Sequence, residues 1–179
     1  MSTNGHLAWR FFGSIVPRRV SPSDGVWVAE MLSSQELQLW SKLHRTDAAE
    51  SIGVARRVAK FVDLDDADRS DIIAAALLHD VGKLDSELGT YGRVVATVAA
   101  KLAGRSMVEA WVHSTGFTRR CGLYLQHAQL GGVRIRVAGG REVAAAWAVA
   151  HHDPRLWPDV ALTTQQCRWL AEADGERVL

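Results

Sequence analysis

The stretch that most restricts the fold is IIAAALLHDVGK, residues 72–83. Seven apolar residues, Ile72 to Leu78, follow one another with no polar position to face water. That pattern predicts a helix buried around most of its circumference, with neighbours on every side. Two ionisable side chains, His79 and Asp80, come directly after it. Burying such groups without partners costs on the order of several kcal/mol. A metal ion meets that cost, since it takes imidazole nitrogen and carboxylate oxygen together. Adjacent helical residues project about 100° apart, enough to grip one ion from two sides. The helix is read as running on into Lys83, four residues after His79 and on its face, where the ammonium reaches a metal-held phosphate. The plainer alternative is a His-Asp pair that ends a core helix with hydrogen bonds.

Helical periodicity governs the rest of the chain, and no β-alternation of useful length occurs. The fold class expected is all-α, a compact single-domain helical bundle. Residues 1–22 read as an N-terminal arm, broken by Gly5, Gly13, Pro17 and Pro22, with Trp9, Phe11 and Phe12 folding back on the body. Residues 23–179 form the domain. Ser23 or Asp24 is read as the cap of a first helix reaching Trp40, interrupted near Ser33-Ser34, and Asp47 as the cap of the next, through Phe61. A third helix begins near Asp65–Asp71. Others cover Arg93–Leu102, Ser106–His113, Thr118–Val137 as one length, Arg141–His151 and Thr163–Ala173, with stops at Gly104, Gly139-Gly140 and Pro154.

A chain of 179 residues fits one domain, and a net charge of +1 gives no global pull toward nucleic acid or an anionic membrane. The basic pairs Arg18-Arg19, Arg56-Arg57 and Arg119-Arg120 read as solvated helix faces, so no nucleic-acid patch is expected. Cys121 and Cys167 are far apart and in no CxxC, which argues against a disulfide scaffold or zinc ribbon and fits a reducing compartment. The longest apolar runs fall well short of the roughly 20 residues that span a bilayer, and the N-terminus shows no signal-peptide pattern. The expectation is a cytoplasmic protein without a membrane partner. Tryptophan-bearing helix surfaces serve core or interface equally, which leaves the oligomeric state open.

LLHDVGK resembles the signature of the HD superfamily of metal-dependent phosphohydrolases, and other segments resemble the family too. QHAQLGG sets His127 four residues before Gly131, like the family's H-x-x-x-G helix. AVAHHDP supplies His151 and His152, and LAEAD sets Asp174 where the last metal carboxylate is expected. Near the start of the second helix the family pattern D-x-x-H-S followed by V-A-R-R-V appears here as DAAES and VARRV, with Glu50 in place of the first metal histidine. His44 does not fit that register. The likeness runs from about Leu37 to the end of the chain.

The resemblance implies a bundle of five or more helices around one or two divalent ions, Mn²⁺, Fe²⁺, Co²⁺ or Zn²⁺, without choosing among them. It implies that Asp80 bridges two ions, one held by His79, Asp174 and Glu50, the other by His127, His151 and His152. It further implies hydrolysis of a phosphomonoester or phosphodiester, nucleotides among them, by a metal-activated water, with Lys83 stabilising the growing charge. Plainer roles stand beside these. Asp47 and Glu50 have capping-box spacing. His127 and His151 sit among apolar residues, as core histidines do. His152 follows His151 and would turn about 100° from it. His6 and His113 look structural or exposed. Two other functions remain: a degenerate HD-fold module that binds a nucleotide or protein without turnover, and a di-iron HD-type oxygenase. Loops Asp85–Arg93 and Arg155–Thr163 would select the substrate, and nothing in them reads as a code.

Overall fold

A computed structural model describes residues 20–63 and 68–175. The aromatics Trp9, Phe11 and Phe12 of the arm, with His6 and Arg18-Arg19, lie outside that range. Among the described residues the architecture is all-α and without strands. The helices are α1 (Pro22–Met31), α2 (Ser34–Trp40), α3 (Arg45–Val58) and α4 (Arg69–Leu78), then a 3₁₀ turn Val81–Asp85. They continue as α5 (Thr90–Ala103), α6 (Arg105–Trp111), α7 (Gly116–Leu125), α8 (His127–Val137) and α9 (Glu142–Ala150), a second 3₁₀ turn Pro154–Asp159, and α10 (Thr164–Asp174). No helix among the described residues is long and apolar enough to cross a membrane.

Helix α4 is the axis of the bundle. Ile72 through Leu78 have no exposed surface, as their unbroken apolar run demands. Helices α3 and α9 pack along α4, α1, α2 and α10 close its other sides, and α8 lies against α9 and the first 3₁₀ turn. Each buried Ile or Leu in this core contributes roughly 1.5–3 kcal/mol by leaving water. Polar clamps fix the helix starts. Fully buried Glu36 accepts from Ser33 N at 2.9 Å and Arg141 N at 2.8 Å, while the Arg141 guanidinium donates to Met31 O at 3.0 Å and Ser70 O at 2.6 Å. One carboxylate and one arginine thus tie the ends of α1, α2, α4 and α9 together.

Helices α5 to α7 form a smaller unit around Leu88, Ala96 and Cys121, with Trp111 and Tyr124 packed on it. A buried ion pair joins it to the bundle: Arg93 on α5 meets Asp47 on α3 through both guanidinium nitrogens, the longer contact 2.7 Å.

Four boundaries differ from the sequence expectation. Helix α1 starts at Pro22 with Ser21 as its cap, because proline's missing N–H is harmless in the first helical position. Helix α3 is capped by His44, so Asp47 lies inside it and the Asp47–Glu50 capping box does not form. The long helix expected over 118–137 breaks at Gln126, which separates α7 from α8. Helix α4 stops at Leu78, and the chain tightens into 3₁₀ geometry before Lys83. The turn is pressed against α8 there. A Cβ on Gly82 would lie 1.9 Å from His127 O and 2.6 Å from Gly131 N, an approach only glycine permits.

Candidate metal centre

One local device places three imidazoles. His79 and His151 immediately follow the last residues of α4 and α9, and His127 follows the end of α7 by two residues. A helix leaves its last carbonyls without intrahelical partners. Each histidine uses one of them, three residues back: Nδ1–H donates to Ala76 O at 2.8 Å from His79, to Tyr124 O at 2.7 Å from His127, and to Ala148 O at 2.7 Å from His151. In the neutral rings of His127 and His151 that leaves the Nε2 lone pair directed into the site. This is the arrangement by which outer groups orient metal-binding imidazoles. Asp174 ends α10, so the C-termini of α4, α7, α9 and α10 all contribute. Their negative dipole ends favour a cation, partly opposed by the N-terminus of α8.

Asp80 stands at the middle, nearly buried. Its Oδ1 lies 3.4 Å from His127 Nε2 and 3.9 Å from His151 Nε2. Its Oδ2 lies 3.3 Å from His79 Nε2 and accepts a hydrogen bond from the Lys83 ammonium. His79 Nε2 is also 3.5 Å from Asp174 Oδ1. His152, solvent-exposed, brings its Nε2 to 3.2 Å from His127 Nε2, and ligand atoms of His127, His151 and His152 all lie within 4.8 Å of one another. His151 keeps helical backbone angles one residue past α9, and its ring lies 3.8 Å from that of His152 between centroids. Lys83 belongs to Asp80 rather than to the face of His79, because the 3₁₀ turn places it three residues from its partner.

The residues fit a metal on an observation independent of any family. Among the described residues His79 Nε2 faces the carboxylates of Asp80 and Asp174, whereas His151 Nε2 is a buried polar atom with no hydrogen-bond partner. Such atoms are rare and call for an explanation. The charge states divide the site. Burial, opposed by Asp80, pushes His127 down to about 4, and burial with the charge of His79 and His152 holds His151 well below its ordinary value. Both rings are neutral donors at neutral pH. Burial also disfavours charge on His79, but Asp80 and Asp174 outweigh it and raise its pKa well above 6.5. Burial likewise opposes the ionised forms of Asp80 and Asp174, and Lys83 and His79 at the one, His79 at the other, hold both below the usual carboxylate range. Lys83 is raised, burial being overcome by Asp80, Glu50 and Asp47.

The structure therefore brings together His79, Asp80, Lys83, His127, His151, His152 and Asp174. Glu50 sits on the exposed side of α3, and its tie to the centre is the electrostatic one to Lys83. His113 is exposed, as expected. Sequence reasoning missed Arg93, Tyr124 and Gly82. The Arg93 guanidinium carbon lies 5.9 Å from the Tyr124 ring, which stacks on His127 at 5.6 Å between centroids. No local pattern announces such a chain of contacts. Gly82 did carry a signal, since Gly131 opposes it, with its own added Cβ 3.3 Å from Gly82 N. The pair Arg56-Arg57 is also more than a solvated face. Arg56 lies 3.8 Å over the Trp27 ring, and Arg57 donates to Ala173 O at 2.7 Å, holding the residue beside Asp174.

No family model, curated protein or solved structure matches the chain.

Proposed function

We propose that this chain is a metal-dependent phosphohydrolase of the HD type, acting on a phosphomonoester or phosphodiester, nucleotides among them. The observation that carries the reading is the set of imidazoles locked by Nδ1–H bonds and gathered around one aspartate, with the Nε2 of His151 buried and unpartnered among the described residues. His127, His151, His152 and Asp80 would hold a divalent ion. Such an ion, when bound, supplies Lewis acidity and lowers the pKa of water toward neutrality. The protein's own groups do the rest. Lys83 places a fixed positive charge beside Asp80, where negative charge on a transferring phosphoryl group would build. His79 and Asp174 flank Asp80 on that side. His152 is exposed at the edge of the centre, and two free, buried cysteines, Cys121 and Cys167, support a reducing cytoplasmic setting.

The test is hydrolysis of p-nitrophenyl phosphate, bis-p-nitrophenyl phosphate and a nucleotide panel, with Mn²⁺, Fe²⁺, Co²⁺ or Zn²⁺ supplied. Turnover that needs metal and vanishes in Asp80→Asn and His127→Ala supports the reading. Metal-loaded protein that cleaves none of these sinks it. The exposed position of Glu50 favours a second reading, an HD-fold module that binds a nucleotide or protein without turnover. Activity created by Glu50→His in an inactive wild type would select that one.

A further inference from the structure

The two oxygens of Asp80 have different partners. Around Oδ1, among the described residues, stand imidazoles: His127 Nε2 at 3.4 Å and His151 Nε2 at 3.9 Å, with His152 completing a trio whose ligand atoms share a 4.8 Å neighbourhood. Three nitrogens and one carboxylate oxygen are a sufficient protein donor set for one borderline divalent ion. Around Oδ2 the ammonium of Lys83 is already bonded, with the His79 ring at 3.3 Å. Lys83 is no loose side chain. It comes from a 3₁₀ turn whose backbone bonds Asp80 O to Lys83 N at 3.0 Å, and that turn is wedged at Gly82 against the carbonyl of His127. Its side chain is 14% exposed. Glu50, which the HD resemblance would make a further ligand, is exposed on α3. A second divalent ion on Oδ2 would have to evict the ammonium or sit against it, and like charges repel strongly in a site with little water.

We infer that the centre holds one divalent ion, on the Oδ1 side of Asp80, that the Lys83 ammonium is the resident cation on the Oδ2 side, and that the exposed Glu50 is not a metal ligand. The inference rests on the metal-centre reading above. A phosphate group would then be gripped between one ion and one ammonium, and Lys83 takes over charge neutralisation that a second ion supplies in two-metal hydrolysis.

The test uses the full chain, stripped with chelator and titrated with Mn²⁺ alone, read by elemental analysis after desalting and by EPR. The expected result is one Mn²⁺ per chain with an uncoupled mononuclear spectrum, unchanged in Glu50→Ala and lost in His127→Ala. Lys83→Met, with a circular dichroism spectrum matching wild type as its fold control, should take up a second ion and show spin coupling. Two coupled ions in the wild type overturn this inference and leave the hydrolase proposal standing, as does a Lys83→Met protein that stays at one. A wild type that binds no ion overturns both.

Discussion

On the Oδ1 side of Asp80 burial holds His127 and His151 neutral; on the Oδ2 side stand an ammonium, an imidazole whose pKa is raised and a second carboxylate. Both sides draw histidines from the same helix-end device, so the device does not decide the difference. What decides it is the carboxylate count. His127 and His151 feel one carboxylate against their burial and are lowered, whereas His79 sits between Asp80 and Asp174 and is raised. Burial lowers the pKa of an imidazole, and nearby carboxylates raise it.

Removing the shared residue should have the largest effect. Asp80→Ala is expected to abolish metal binding and to destabilise the metal-free protein by about 3–5 kcal/mol, because Lys83 and His79 lose a buried counter-charge. Denaturant melts of chelated protein measure the second part. A loss below about 1 kcal/mol would mean that the Oδ2 cluster is not an ion-paired unit.

Breaking the tie between the small unit and the bundle comes next. Arg93→Met leaves Asp47, a side chain 3% exposed, without its guanidinium, and should cost about 3 kcal/mol. Hydrogen exchange should show the loss concentrated in α5 to α7 rather than in α4. Uniform loosening would contradict the division into two units. Gly82→Ala should cost about 1–3 kcal/mol or more, since backbone must move on both sides of the contact. Gly131→Ala meets its nearest atom at 3.3 Å and should cost less than Gly82→Ala. The reverse order would show that the 3₁₀ turn is not the tight element.

The pH dependence separates the two sides with opposite signs. In chelated protein the unfolded chain protonates each imidazole near 6.5, while folded His127 waits until about 4. Across that window the unfolded state holds more protons, so stability falls as pH drops. His79 acts the other way: its raised pKa contributes stability in full below 6.5, lost as pH rises through its higher folded value. His127→Gln should flatten the acid-side fall in a melting-temperature series and leave the alkaline side unchanged. An unaltered acid slope would mean that folded His127 is not held neutral.

Much of this was legible in the sequence. The run Ile72–Leu78 could only be a central helix, and the His79-Asp80 pair after it could not be buried cheaply. Ser33 with Glu36, and Thr163 with Gln166, stand at helix starts near the breaks that turn residues indicated. The misread positions share a cause. Asp47 looks like a cap until Arg93, forty-six residues away, claims it. Lys83 looks like a neighbour of His79 until the backbone tightens into a 3₁₀ turn, because the register of a helix cannot report where the helix ends. Glu50 stands where the HD resemblance expects a ligand, and only tertiary placement reveals that it faces solvent.

The most direct test of the difference between the two sides is anomalous scattering from a crystal of the zinc-loaded protein. A single peak within ligand distance of His127, His151, His152 and Asp80 Oδ1 is the predicted result. A peak bound between His79, Asp174 and Asp80 Oδ2, with Lys83 displaced, would contradict it.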